Sequence, residues 1–182
     1  MAKWNLDPTH SSADFAAKHM MITTVRGAFR NVTGTIDFDS AHPENSSVEA
    51  VINTSEITST GVQQRDDHLK SGDFLDIANY PTITFKSTKV VPSADGKTAK
   101  VTGDLTIRDV TRPVTLDVEF LGQIQSPFGD TRAGFSASTK INREDFGLTW
   151  NMALEAGGWL VGKDINLNLE VEAVLVPEPA AV

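Results

Sequence analysis

Cysteine is absent from the 182-residue chain. Its absence excludes disulfide staples, thiol nucleophiles and cysteine-based zinc sites. It leaves the compartment open, because a cysteine-free chain tolerates either redox environment. Long apolar runs are lacking as well: no stretch approaches the roughly 18 residues of a membrane-spanning helix. The opening MAKWNLDPTHSSADF holds one Lys and no apolar core, so it does not read as a secretory signal. The expected compartment is the cytoplasm, or the periplasm if a leader was removed. Basic residues are scarce too, with 16 Lys and Arg against 24 Asp and Glu, a formal net charge of -8. Such a chain repels polyphosphates and anionic bilayers at long range, which argues against nucleic acid or an anionic membrane surface as a partner.

Catalytic signatures are missing. There is no GxSxG elbow and no Gly-rich phosphate loop, so neither acyl nor phosphoryl transfer has its usual scaffold. The histidines His10, His19, His42 and His68 form no HxH or HExxH pair, and no metal or other cofactor is expected. Tyrosine is nearly absent: Tyr80 stands alone beside three Trp and nine Phe. Phe brings bulk without a polar handle, which suits an apolar interior better than a sugar-binding face.

What the chain does have is alternation. Ile165, Leu167, Leu169, Val171, Ala173 and Leu175 are interleaved with Asn166, Asn168, Glu170 and Glu172. Period two marks a strand with one dry and one wet face. Val114, Leu116, Val118, Phe120 and Ile124 repeat the pattern, as do shorter runs around Phe15, Phe38, Ile52, Phe85, Leu105 and Phe135. Turn residues separate the runs: Asp95-Gly96 is a hairpin signal, and the segments 108–113 and 127–130 make further tight connections. About eight strands result, mostly neighbours in sequence. Eight antiparallel strands favour closure into a barrel, because closure removes exposed edges. Period alone does not decide whether such a barrel is filled by its own side chains or holds a ligand.

Two stretches break the alternation. Residues 56–80 are polar and charged, and predict a loop with one or two short helices capped near Thr60 and Ser71. Residues 142–162 predict a turn or short helix followed by a mobile segment. Residues 1–176 are expected to form a single barrel and 177–182 a frayed tail. The densest polar cluster is Arg65-Asp66-Asp67-His68. Asp66 with His68 could serve acid–base chemistry; with no nucleophile pattern beside it, a tie between loop and barrel is favoured. Arg143, followed by Glu144 and Asp145, reads as a turn clamp, with an anionic or carbonyl head group as the functional alternative.

Five segments then carry a resemblance: WNLDPTHSSADFAAKHMMITTVRGAF, RDDHLKSGDFLDIANYPTITF, VTGDLTIRDVTRPVTLDVEF, INREDFGLTW and VGKDINLNLEVEA. In this order they span nearly the whole chain, and the set resembles the YceI-like, polyisoprenoid-binding family. One difference is Lys163, where that family often has Gly-Asp. The resemblance implies an all-β fold: an extended eight-stranded antiparallel lipocalin-like β-barrel with a short helical insertion and an apolar tunnel. It also implies non-enzymatic binding, transport or storage of an amphiphilic isoprenoid lipid, either a polyprenyl lipid or an isoprenoid quinone, by a homodimer. The alternative is an enzyme or stress-response factor acting on a small apolar substrate through Asp66 and His68. Strand phase and bulk select the expected lining: Phe15, Phe29, Phe38 and Ile52, then Phe74, Phe85 and Leu105, then Phe120, Phe135, Leu167, Leu169 and Val171. The expected polar mouth comprises His10, Arg65, His68 and Arg143.

Overall fold

The computed structural model describes residues 1–177. Of the expected frayed tail only Pro177 is included; residues 178–182 lie outside the described residues. Among the described residues ten strands follow one another: β1 (Ala2–Leu6), β2 (Ser12–His19), β3 (Thr23–Phe29), β4 (Thr33–Phe38), β5 (Ser47–Asn53), β6 (Thr82–Pro92), β7 (Thr98–Ile107), β8 (Val110–Gln125), β9 (Thr131–Asn142) and β10 (Val161–Leu175). One helix, α1 (Gln63–Lys70), is inserted between β5 and β6. All strand pairings are antiparallel, and β1 pairs with β10 to close the sheet.

The ten strands occupy eight positions around the barrel, as expected from the sequence. β1 and β2 pair with successive parts of β10, Leu6 opposite Ala173 and Ser12 opposite Glu170. They form one stave broken at Asp7–Ser11. The break begins at Pro8, which has no N–H to give the ladder, and the Asp7 carboxylate instead accepts the Thr9 N–H at 2.9 Å. β3 and β4 form the adjacent stave and break alongside, where Val32 N–H donates to the Ser11 carbonyl at 3.3 Å. β10 has 15 residues; at about 3.3 Å per residue and a strand tilt of roughly 35–45°, the barrel is roughly 35–40 Å long.

Two local expectations are corrected. Ile124 was expected to continue the inward row of β8, yet it is 65% exposed. The register shifts by one residue between Phe120 and Gly122, so Leu121 is extra and the phase reverses beyond it. Caps were expected at Thr60 and Ser71. In fact Val62 precedes α1 without a side-chain cap bond, and Asp66 reaches back to accept the Thr60 N–H at 2.8 Å. Ser71 ends the helix, donating its N–H and its hydroxyl to the His68 carbonyl. After β9 the chain forms a 3-10 turn, Arg143–Phe146, and then a segment tied to β10 through the Asn151 side chain, which bonds both N–H and C=O of Val161.

Candidate functional site

The two ends of the barrel are built differently. At one end α1, the turns after it and the segment following β9 fold over the opening. Phe29, Phe74, Ile83, Leu105, Ile141, Phe146 and Leu148 form a buried cluster beneath them. At the other end only short connections meet, those between β4 and β5, β6 and β7, and β8 and β9. We call these the capped end and the open end.

Between them lies an apolar cavity of about 420 Å³, within the ~300–1,000 Å³ usual for small-molecule sites. The inward side chains Val48, Ile52, Phe85, Val114, Leu116, Val118, Leu167, Leu169 and Val171 border it and are only half-buried, although their strands enclose them. A solid core would leave them inaccessible, so the interior is hollow along much of its length. All twelve residues selected from strand phase and bulk border this cavity: Phe15, Phe29, Phe38, Ile52, Phe74, Phe85, Leu105, Phe120, Phe135, Leu167, Leu169 and Val171. Toward the open end, Phe38, Phe120 and Phe135 pack against one another with ring centroids 5.4–5.8 Å apart. Near the middle, the tip of the Phe15 ring lies over its cross-strand partner Gly27, where a Cβ would come within 2.4 Å of the ring. A glycine there lets the ring lie against the wall instead of across the lumen.

Among the described residues, two charged side chains border the cavity, and they occupy opposite ends. Lys97 stands exposed at the open rim with Ser40, Ser46, Ser47 and Thr98. Arg143 is 3% exposed at the capped end. Its guanidinium donates to the carbonyls of Gly162 (2.9 Å), Leu148 (2.6 Å), Trp150 (2.8 Å) and Val161 (3.3 Å). This confirms the clamp geometry: one planar fork holds both sides of the 147–162 segment. Burial pushes the Arg143 guanidinium below its usual value, with Glu144 opposing the shift from a distance. Glu144 itself pairs with Lys163 on the outside at 3.2 Å, so Lys163 is a surface charge and not part of the rim.

The other three expected mouth residues do not border the cavity. His68 packs edge-on against Trp150 and Phe74, with centroids at 4.4 and 4.9 Å, and pairs with Asp73 at 2.8 Å. Arg65 donates to the Thr60 hydroxyl and carbonyl, each at 2.7 Å. Asp66 is buried and is held by Ser59 and Thr60, whose bonds depress its carboxyl to about 2. Asp66 and His68 are therefore not partners of each other, because residues two apart on a helix project to different sides.

His10 lies on the outer waist of the barrel. It bonds the Asp7 carboxylate at 3.0 Å, and Arg132 bridges Asp7, Asp130 and Glu172 beside it. Hydrogen bonds from Thr9, His10 and Arg132 hold Asp7 below the usual carboxylate range, while Asp7 and then Glu172 raise His10. Asp7, His10 and Glu172 are close enough together to ligate a cation, but the Arg132 guanidinium already donates to both carboxylates. The cluster ties β9 and β10 to the break between β1 and β2.

Strand reasoning missed the rim residues Ser40, Ser46, Ser47, Lys97 and Thr98. The turn signal Asp95-Gly96 placed Lys97 and Thr98 at a hairpin end, but nothing in a turn signal says which barrel end stays open.

Known proteins fit this geometry. The family model described as a YceI-like domain matches residues 4–173. The chain belongs to the YceI-like family. A UPF0312 protein of Pseudomonas paraeruginosa is 36% identical over 165 residues, covering 91% of this chain and 82% of its own length. The crystal structure of a Campylobacter jejuni YceI protein aligns with a TM-score of 0.70 at 36% identity, covering 88% of this chain and 90% of that one. A polyisoprenoid binding domain from Saccharophagus degradans aligns with a TM-score of 0.68 at 14% identity, covering 97% and 100% of the two chains. Among the described residues of this YceI-like chain, no helix is long and apolar enough to cross a membrane.

Proposed function

We propose that this YceI-like chain binds an amphiphilic isoprenoid lipid, a polyprenyl lipid or an isoprenoid quinone, inside its barrel, and acts as a carrier or store and not as an enzyme. The observation that carries the reading is the hollow apolar interior, which runs between the ends and is bordered by apolar side chains along its walls. The fold likeness to a domain described as polyisoprenoid-binding supports the same class of ligand. Either compartment suits a cysteine-free chain.

The energetics follow from the lining. Burying a CH₂ contributes roughly 0.8 kcal/mol, and affinities saturate near about 20 kcal/mol. A long isoprenoid tail therefore supplies ample drive, and chain ordering offsets much of it. The test is extraction of the purified protein with organic solvent, followed by mass spectrometry and by titration of the delipidated protein with an isoprenoid quinone. An isoprenoid in the extract, or saturable uptake near one quinone per chain, is expected. No isoprenoid together with no uptake refutes the proposal.

A homodimer forms part of this reading. Beyond Phe120, β8 pairs only with β9 among the described residues. Its outward Leu121 and Ile124 are exposed, and Phe128 in the following turn is 84% exposed. Residues 121–129 carry no charge, so two chains of net charge -8 meet there with least repulsion. Ile124→Lys is expected to shift the mass measured by light scattering from dimer to monomer. A wild-type monomer contradicts this part of the proposal and leaves lipid binding untouched.

A further inference from the structure

We propose that the lipid lies head-inward: a flat, uncharged, carbonyl-bearing head rests at the capped end against Arg143 and Phe74, and the tail runs toward the open rim. This rests on the lipid-binding reading above and adds the orientation and the head-group class.

The two charged residues that border the cavity among the described residues point to the orientation. Lys97 is exposed at the open rim, so water already solvates it and a head group there would only replace water. Arg143 is in the opposite condition. It is 3% exposed, and none of the described carboxylates hydrogen-bonds it. The nearest acidic neighbour in sequence, Glu144, is taken by Lys163. Nη2 makes a single 3.3 Å contact, to the Val161 carbonyl, which leaves its second N–H without an acceptor among the described residues. A buried cation is costly until its charge and donors are met. A ligand oxygen arriving through the cavity would supply an acceptor that the protein does not.

The surroundings select the kind of oxygen. Phe74 borders the cavity with its ring centroid 5.9 Å from the Arg143 guanidinium carbon, and Trp150 lies behind it at 5.6 Å. Phe146 and Leu148 complete an apolar pocket at that end. These walls suit a planar ring. A phosphate or carboxylate head would have to shed its water along an apolar lumen before reaching Arg143, and dehydrating an ion is far costlier than dehydrating a carbonyl. An uncharged carbonyl can make the passage and still accept from the guanidinium.

Tryptophan fluorescence reads the orientation without disturbing Arg143. Trp150 marks the capped end, and Trp4, opposite Leu175 at the far end of β10, marks the open end. One protein keeps only Trp150 (Trp4→Phe, Trp159→Phe), and a second keeps only Trp4 (Trp150→Phe, Trp159→Phe). Each is titrated with an isoprenoid quinone, whose ring quenches a tryptophan at short range and so reaches Trp150 across Phe74, and uptake is followed in parallel by mass spectrometry with a polyprenyl alcohol of equal length as a second probe. Strong loss of Trp150 emission with Trp4 nearly unchanged is expected. Quenching of Trp4 with Trp150 spared overturns the orientation and leaves lipid binding intact, as does uptake of the alcohol without the quinone. Uptake of neither probe refutes the lipid-binding reading and the orientation with it. In Arg143→Lys, the preference for quinone over alcohol is expected to fall about tenfold, as for a lost charge-assisted hydrogen bond. An unchanged preference in a folded variant overturns the contact with Arg143.

Discussion

The capped and open ends of this barrel spend their polar residues in opposite ways. At the capped end, Arg65, Asp66, His68 and Arg143 bond other parts of the chain, and together they hold a helix and a long segment over the opening. At the open end, Ser40, Ser47, Lys97 and Thr98 sit exposed on short turns. The segments richest in conspicuous residues, 65–80 and 141–150, therefore build a lid. The cavity itself is lined by plain alternating Phe, Leu, Ile, Val and Ala. In a site that works by displacing water from hydrocarbon, the most distinctive motif need not mark the site.

The contrast can be broken most forcefully at Arg143. Arg143→Met takes a donor from four carbonyls, of which Val161 keeps another from Asn151, and a loss of about 3–5 kcal/mol in urea unfolding is expected, as for a disrupted buried hydrogen-bond network. Lys97→Ala at the open rim is expected to stay within about 0.5 kcal/mol. Equal effects at the two ends would remove the distinction. Between the ends, Val118→Trp projects an indole into the hollow. Stability is expected to change by no more than about 1–3 kcal/mol, while quinone uptake falls at least tenfold, roughly 1.4 kcal/mol or more in binding. Unaltered uptake would place the ligand elsewhere. Gly27→Ala acts more gently, by lifting the Phe15 ring off the wall. A modest loss of uptake with little change in melting temperature is expected, and the double variant Gly27→Ala/Phe15→Leu should restore uptake.

The smallest effect concerns pH. The Asp66 carboxyl is lowered to about 2 by Ser59 and Thr60, below the unfolded value of about 3.9. Its contribution is therefore present above the unfolded value and lost as pH falls through about 2. Amide exchange at Thr60 is expected to accelerate over that acid window in the wild type. In Asp66→Asn the extra acceleration should vanish. His10 has the opposite sign: its raised value favours the folded state below about 6.5, and that contribution fades as pH rises past the elevated value.

The barrel and its lining were legible from alternation because a strand's phase has only two choices. Once Leu167 is inward, Leu169 and Val171 follow, and the family-like segments fixed how the strands close. Ile124 escaped the pattern because one extra residue, Leu121, reverses the phase, and a bulge leaves no mark in a period-two count. His10, Arg65 and His68 were misplaced for a different reason. A polar side chain advertises that it needs a partner, but whether that partner is a ligand or another part of the chain depends on contacts far away in sequence, such as His10 with Glu172. Arg143 shows both sides: its sequence context suggested a clamp, and only the assembled barrel places that clamp beside the cavity.

The central claim is that the hollow interior accommodates an isoprenoid tail. A crystal structure of the delipidated protein loaded with an isoprenoid quinone tests it most directly. Continuous density is predicted along the axis, in contact with Phe120, Leu169 and Val118, with the walls unchanged. Side chains collapsed into a filled interior, or density confined to the outer surface, would contradict it.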